Sequence, residues 1–415
     1  MAPIRYIEGK GDKTGLAPGN NLAAHGQEIA APGMDPRCDT LIVAPVQPTN
    51  MSYAIGGAAG YCEKLLTDLA EVNPANDPQL KSAGVGAVQA LLDAENRQGT
   101  SITQVDQGNG HIRELRIKWL QRGSTADVVT GDAACSQANA KPYFEDEFFP
   151  TQRRTISIGL DLDDVRRFCD AESRRVNVGP VSVVQNHLTR VLTQLHPLRV
   201  AMNNVVISQI ATYFGGVSAS SSVTTVSGAI ALDLFLNNNE RKAISSGYLT
   251  MLGVFQDAEL MGTPITFGGG LWRDYNNYME FGCCNDGGFD FGQMSGNPGY
   301  KFYFDKYVGT ASGIGTNEFV AFAPGTLQLG MYNENRGSFQ GTIDNVTYFL
   351  LPDPVIPGLV YDARLIEDGC NKQLTLQVST PYFDVWGQPT AAYAGTDNLA
   401  GTTGVFNMLA RTVAP

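Results

Sequence analysis

Charge is the first thing this sequence is short of. Asp, Glu, Lys and Arg make up 17% of its 415 residues, below the quarter that is ordinary for soluble domains. The charge present is lopsided, with 41 acids against 29 Lys and Arg and a net charge of −12 at pH 7. There is no run of basic residues; the densest cluster is Arg113, Arg116, Lys118 and Arg122, with Arg153 and Arg154 further on. A protein that grips nucleic acid by neutralising phosphates shows a basic face or tail. Tight, specific nucleic-acid binding is therefore not expected.

Cysteine and histidine are sparse and badly spaced for chemistry. The seven cysteines (Cys38, Cys62, Cys135, Cys169, Cys283, Cys284 and Cys370) are odd in number and contain no C-x-x-C pair. That excludes a secreted disulfide framework and a zinc ribbon, and points to reduced thiols in a cytoplasm. The four histidines form no H-E-x-x-H pair. The start, MAPIRYIEGKGDKTG, shows no charged-then-apolar leader, and no apolar run approaches a membrane span. No G-x-S-x-G elbow and no P-loop occur. Phe267-Gly268-Gly269-Gly270 invites a phosphate-cradle reading, but LWRDYNNY follows instead of GK[ST], which leaves a tight turn needing positive φ. Asp286-Gly287-Gly288-Phe289-Asp290 lacks the alternating acids and final Glu of a calcium loop. Asp161, Asp163 and Asp164 read as helix-capping acids before DDVRRFCDAESRR, not as a metal site. Cys169 on that helix reads as a buried, inert thiol. No catalytic residue, cofactor or metal is expected.

What the chain has in abundance is glycine (46) and uncharged polar residues, which suits a turn-rich α+β protein. Residues 1–56 are rich in Pro, Gly and Ala yet carry Ile4, Tyr6, Leu41, Ile42 and Val43, an arm that orders against a neighbour. Residues 57–95 predict two short helices, the second with Val85, Val88, Leu91 and Leu92 on one face. HIRELRIKWLQR and RRTISIGL predict strands, separated by the polar excursion STADVVTGDAACSQANAKPYFEDEFFP. Neither parity of HIRELRIKWLQR is cleanly apolar, which suggests a projecting hairpin touched on both faces. Residues 181–214 carry the strongest helical period, with Val191, Leu192, Leu195, Leu198, Met202, Val206 and Ile210, interrupted by Pro197, which should kink the helix or start a second one. Beyond residue 220 a mixed α/β lobe is expected. AIALDLFL is ambiguous between helix and strand. GYLTMLGVF reads as a strand, FQDAELMG as a short helix, and KFYFDKYVG, EFVAFAPGTLQLGMYN, DNVTYFLL, LVYDARLIEDG and KQLTLQVSTPYFDVW as strands. Trp272 is a core filler after the triple glycine, and Trp119 an inter-subunit anchor.

This order of elements resembles the Hong Kong 97-type capsid fold of tailed bacteriophages. Similarity to its axial domain lies in GYLTMLGVFQDAELMGTPITFGGGLW, GFDFGQMSG, KFYFDKYVG and EFVAFAPGTLQLGMYNENRG. HIRELRIKWLQR with EDEFFPTQRRTISIGL is similar to its E-loop. The resemblance spans about residues 100–385. It implies an α+β fold with an N-terminal arm (1–56), peripheral short helices (57–99), an E-loop β-hairpin (100–155), a peripheral domain with its spine helix (156–219), an axial α/β domain (220–352), and return strands with a C-terminal tail (353–415). The function it implies is that of a major capsid protein. Such a subunit self-assembles through hexamers and pentamers into the icosahedral head of a virion, built in the bacterial host cytoplasm. Portal and scaffolding proteins, and decoration proteins outside, are the partners it implies. Double-stranded DNA is enclosed without tight binding, and no membrane is involved.

Residues 1–100 are too short and proline-rich for the fused coiled-coil scaffold of some relatives, so a separate scaffold is expected. Lys118 and Lys141 are hairpin lysines, but no asparagine partner matches for the covalent cross-link other relatives make. The inter-subunit contacts expected are Arg113, Arg116, Lys118, Trp119, Arg153 and Arg154, with Glu145, Asp146 and Glu147 receiving the arginines of a neighbour. The Gly-rich loop 282–299 is expected at ring centres. Two other readings compete: an encapsulin-type shell holding protein cargo or another virion component, and a soluble α/β enzyme with a β-rich insertion.

Overall fold

The structure is a computed structural model that describes residues 84–95, 102–104, 115–120, 143–161, 183–216, 223–236, 245–258, 260, 262–281, 300–310, 313–335, 342–343, 346–368, 373–388 and 403–413. The expected arm, the first of the two short helices, the helix DDVRRFCDAESRR, the loop 282–299 and all seven cysteines lie outside the described residues. The chain divides into two compact units drawn from separated stretches. Among described residues one takes 153–198 and 333–381, the other 84–152, 199–332 and 382–413.

The first unit is built on a five-stranded antiparallel sheet. Its order is β11 (Thr342–Ile343), β12 (Val346–Pro352), β13 (Val360–Asp368), β14 (Gln373–Ser379) and β4 (Thr155–Asp161). Burial alternates along β12, with Thr347, Phe349 and Leu351 inside, the period-2 pattern of a sheet with one packed face. Tyr361, Ala363 and Leu365 of β13 and Leu376 and Val378 of β14 complete that core.

The second unit carries a six-stranded mixed sheet. Its order is β5 (Thr225–Val226), β6 (Ala229–Leu236), β16 (Val405–Val413), β9 (Glu318–Phe322), β7 (Ile265–Gly268) and β8 (Lys301–Phe304). The ambiguous AIALDLFL is the strand β6, buried on both faces with Ile230, Leu232 and Leu234 nearly inaccessible. GYLTMLGVF, expected as a strand, is instead most of the helix α3 (Ser245–Asp257), and FQDAELMG supplies only its end. The reason is visible in its burial. Tyr248, Met251, Val254, Phe255 and Ala258 recur at helical spacing and enter the sheet's core, while Leu249 is left exposed. Val405–Val413, grouped on the sequence with the return strands, pairs in parallel with β6 and antiparallel with β9. The tail thus supplies an interior strand of the sheet built mostly from the 220–352 region.

The triple glycine joins β7 to the helix α4 (Gly270–Phe281). Gly270 has φ +54°, as the turn reading expects. A Cβ on Gly268 would lie 2.5 Å from that of Phe319, and one on Gly269 would lie 2.7 Å from the Asp305 carbonyl oxygen. The glycines let α4 sit down on the sheet. There Trp272 is fully buried, stacked on Phe319 at 4.0 Å between centroids and on Tyr275 at 5.7 Å. Burying a large side chain fully in this way contributes about 3 kcal/mol.

The long helix α2 (Val183–Ile210) continues through Pro197 as one 28-residue helix, about 42 Å at 1.5 Å per residue. Val191, Leu192, Leu195, Leu198, Met202, Val206 and Ile210 are buried, and Pro197 is exposed on the opposite side. The division between the units falls within this helix, after Leu198.

Candidate assembly surface

The residues expected to meet a neighbour lie on the hairpin and just beyond it. β1 (Ile102–Gln104), β2 (Leu115–Leu120) and β3 (Tyr143–Phe148) form a three-stranded antiparallel sheet. Leu115, Ile117 and Trp119, one parity of β2, are fully buried, so the hairpin root has a clean inner face after all. It packs on the ribbon of β10 (Leu327–Tyr332) and β15 (Tyr382–Gly387). Phe148 sits 4.8 Å from Trp386 and meets Trp119 edge-on at 5.7 Å. Sequence parity missed this because the polar His111 and Arg113 share the parity of Leu115, Ile117 and Trp119 in the sequence.

Trp119 therefore corrects the expectation of an inter-subunit anchor: its surface is wholly covered by its own chain. Arg116 is likewise paired at home. Its guanidinium donates to Glu147 Oε1 at 2.7 Å, directly across the β2–β3 ladder. The same ladder sets Lys118 opposite Glu145 and Ile117 opposite Asp146. Glu145 and Glu147, expected to receive a neighbour's arginines, thus stand in register with the hairpin's own cations. Arg113 lies outside the described residues.

Two further ties pin the hairpin root, and a third holds β15, which the root meets, to α2. Gln152 and Phe383 exchange backbone hydrogen bonds at 3.3 and 2.9 Å. The Thr151 amide and hydroxyl donate to Asp384 Oδ2 at 2.6 and 3.0 Å. Gln209 of α2 donates to the other oxygen of Asp384 and accepts from the Val385 amide at 2.9 Å. Between the root's ties, Phe149 stays 56% exposed beside buried Pro150. Among the described side chains of this region it is the large apolar one left for another surface.

Arg153 and Arg154 belong to the five-stranded unit. Arg153 donates to Glu334 at 2.5 Å and lies 3.5 Å from Asp362, while Arg364 reaches Glu334 at 3.3 Å. Asp362 is buried and accepts the amides of Glu334 and Asn335, both at 3.0 Å. Arg154 donates its amide to Thr380 Oγ1 at 2.9 Å and its guanidinium to the Arg153 carbonyl. These two arginines brace the start of β4 inside the subunit.

The residues that sequence reasoning passed over are buried acids acting as backbone clamps. Asp305 is fully buried. Its Oδ2 accepts from the Ala87 amide and from Asn203 Nδ2, both at 2.9 Å; its Oδ1 accepts from the amides of Tyr307 (2.8 Å) and Val308 (3.3 Å). Asn203 Oδ1 in turn takes the Val88 amide at 3.2 Å. One carboxylate thereby caps the helix α1 (Gly86–Glu95), holds α2 and closes the turn after β8. Burial pushes this carboxyl above the usual range, against the pull of its four donors. Asp353 does similar work, taking the amides of Val355 and Ile356 and the Tyr361 hydroxyl. A local signal existed: Asp305, Asp362 and Asp384 each follow an aromatic residue of a strand (YFD, VYD, YFD). An acid there either ends the strand in solvent or is drawn inside to bind backbone.

Among the described residues no group of three or more His, Cys, Asp or Glu side chains is placed to hold a metal ion, and no helix is long and apolar enough to cross a membrane.

No protein-family model and no curated protein matches this chain. Solved structures do. The chain is similar to a structure of Mycobacterium phage Che8 at 12% identity and a TM-score of 0.35, covering 75% of this chain and 92% of that one. It is similar to the bacteriophage PhiM1 mature capsid at 10% identity and 0.34, covering 75% and 89%. It is similar to the capsid of Ralstonia phage GP4 at 7% identity and 0.37, covering 71% and 82%.

Proposed function

We propose that this chain is a structural subunit whose copies close into the icosahedral head of a tailed bacterial virus around double-stranded DNA, with no catalytic role. The observation that carries the reading is the way the chain uses its polar residues. The buried acids Asp305, Asp353, Asp362 and Asp384 all accept backbone amides, so they serve rigidity. Around that rigid frame the element order supports the Hong Kong 97-type arrangement: hairpin, strand, long helix, α/β lobe, return strands.

In this reading each subunit makes heterologous contacts that close into hexamers and pentamers, and modest contacts add once the lattice raises their effective concentration. Residues 1–56 reach a neighbour, residues 282–299 gather at ring centres, and the hairpin beyond its pinned root extends over an adjoining subunit. A separate scaffold directs closure, a portal occupies one vertex, and decoration proteins attach outside.

Negative-stain imaging of the purified chain, alone and co-expressed with a scaffold protein encoded beside it, tests the proposal. Rings, sheets or closed shells are expected. A monomer or a small discrete oligomer under both conditions refutes it, and hollow shells loaded with a protein cargo assign the chain to the encapsulin type. Removing residues 1–45 should leave a soluble subunit that no longer closes shells.

A further inference from the structure

The five-stranded sheet of the first unit ends in two edges of different length. β11 forms one edge with only Thr342 and Ile343, while β4 forms the other with the seven residues Thr155–Asp161. β4 pairs with β14 in unbroken register over its whole length. The Thr380 amide donates to the Arg154 carbonyl at 2.8 Å, so Arg154, Ile156 and Ile158 turn their backbone groups toward β14. In an antiparallel ladder the alternate residues, here Thr155, Ser157 and Gly159, then point theirs out of the sheet. All three are exposed, and no described residue pairs with those amides and carbonyls.

A sheet edge of this length is ordinarily blunted by a lysine, a proline, a bulge or an inward-pointing charge. Thr155–Leu160 reads TISIGL and has none of these. Charge stands only at the two ends of the strand. Arg153 and Arg154 precede it, and Asp161 closes it, with Asp163 and Asp164 next in sequence. Arg153 is held by Glu334 and Asp362. The Arg154 guanidinium donates to the Arg153 carbonyl and meets no acid among the described residues.

We infer that the β4 edge docks on the β4 edge of a second copy, antiparallel about a two-fold axis at Ser157, so that two five-stranded sheets join into one. The strand is complementary to itself in this register. Ser157 pairs with the partner's Ser157, Thr155 with the partner's Gly159, and Gly159 with the partner's Thr155, so every outward amide and carbonyl finds its acceptor or donor. The same register sets Arg153 across from the partner's Asp161 at both ends. Opposite charges facing across a strand pair favour it and like charges oppose it. A parallel pairing would set arginine against arginine. A shift of two residues in either direction leaves an outward residue unpaired and draws the charges out of line. The contact is isologous, each copy giving the same residues it receives. It needs only two copies of this chain and so stands apart from the shell reading, to which it adds a joint across a two-fold axis.

Oxidative trapping in the concentrated full chain tests the pairing, whether or not the chain has closed into particles. Directly paired residues lie about 5.5 Å apart between Cα atoms, within reach of a disulfide. Ser157→Cys should therefore give a disulfide between two copies, mapped by mass spectrometry to position 157 in both. Thr155→Cys should not join to itself, because its own counterpart lies four residues further along, about 13 Å at 3.3 Å per residue. Mixed copies of Thr155→Cys and Gly159→Cys should join to each other. No self-disulfide at 157, or an equal one at 155, overturns the inference. So does a disulfide from position 157 to Cys38, which would put the N-terminal segment on this edge instead. A second arm adds Ser157→Pro to the mixed pair. The Ser157 amide points out of the sheet, so the proline removes no hydrogen bond inside the subunit. It should lower the yield of the 155–159 disulfide at least tenfold, and an unchanged yield also overturns the inference. Failure to form particles bears on the shell reading and is seen separately, by imaging.

Discussion

Asp305→Asn should destabilise the six-stranded unit by about 2–4 kcal/mol. The carboxylate accepts four hydrogen bonds, two on each oxygen. An asparagine keeps one oxygen and sets an NH2 group against the other pair of donors, either Ala87 N with Asn203 Nδ2 or Tyr307 N with Val308 N. Each buried donor left without an acceptor costs about 1–3 kcal/mol, and relief from burying a charge offsets part of the sum. Asn203 cannot simply turn over, because its own oxygen holds the Val88 amide. Adding Asn203→Asp supplies an acceptor both to Val88 N and to the side-chain amide introduced at position 305, so the double variant should recover about 1 kcal/mol through their coupling.

The assay is urea denaturation of the full chain followed by tryptophan fluorescence. Trp119, Trp272 and Trp386 all lie in this unit, so the signal reports its unfolding alone. The pH dependence gives a second check. The folded carboxyl binds its proton more tightly than the unfolded one, so the folded state holds more protons and stability falls as pH rises from the ordinary carboxylate range through the raised value. The variant lacks that term, and its deficit should narrow over the same window. A deficit under about 0.5 kcal/mol, well below the penalty for one orphaned donor, or a deficit that widens with pH, refutes the reasoning.

Gly330→Ala should be worse than any surface change. A Cβ there overlaps the Trp386 ring and lies 2.7 Å from Leu115 Cδ1, so overpacking at the hairpin root should destabilise by roughly 1–3 kcal/mol, read as a lower urea midpoint in tryptophan fluorescence. Gly253→Ala should do the reverse. A Cβ at this helical position meets nothing within 4 Å, so the isolated subunit should gain about 0.5–1 kcal/mol by the same measurement. The two arginine pairs should separate by burial. Arg116→Ala removes an exposed pair and should change stability by under about 0.5 kcal/mol. Arg153→Ala uncovers the buried Asp362 carboxylate and should lower stability by about 1–3 kcal/mol, followed by circular dichroism because its unit has no tryptophan.

Where a segment's neighbours in the fold resemble its neighbours in sequence, the residues alone suffice. The period-3.6 apolar stripe of α2 and the alternation of β12 and β14 are of this kind, since each is set by one buried face. α3 shows the limit. GYLTMLGVF is apolar on nearly every position and fits strand and helix equally, and only the sheet beneath Tyr248, Met251 and Val254 decides between them. The hairpin shows another: Leu115, Ile117 and Trp119 are legible as an inner face once β10 and β15 are known to lie under them. The charges of the hairpin show the same limit. Composition named the cations and acids, but register placed Arg116 across from Glu147 in one chain.

By itself the sequence determined the class of the protein: α+β, acidic, short of catalytic constellations, with a long helix and a glycine turn before Trp272. Those properties follow from composition and local periodicity, which need no partner. Only the tertiary structure decided that the tail strand Val405–Val413 lies between β6 and β9, that Trp119 is interior, and that Asp305 and Asp384 are clamps. Each depends on residues more than 60 positions away meeting in space, and no local pattern encodes which distant backbone amide a buried carboxylate will find.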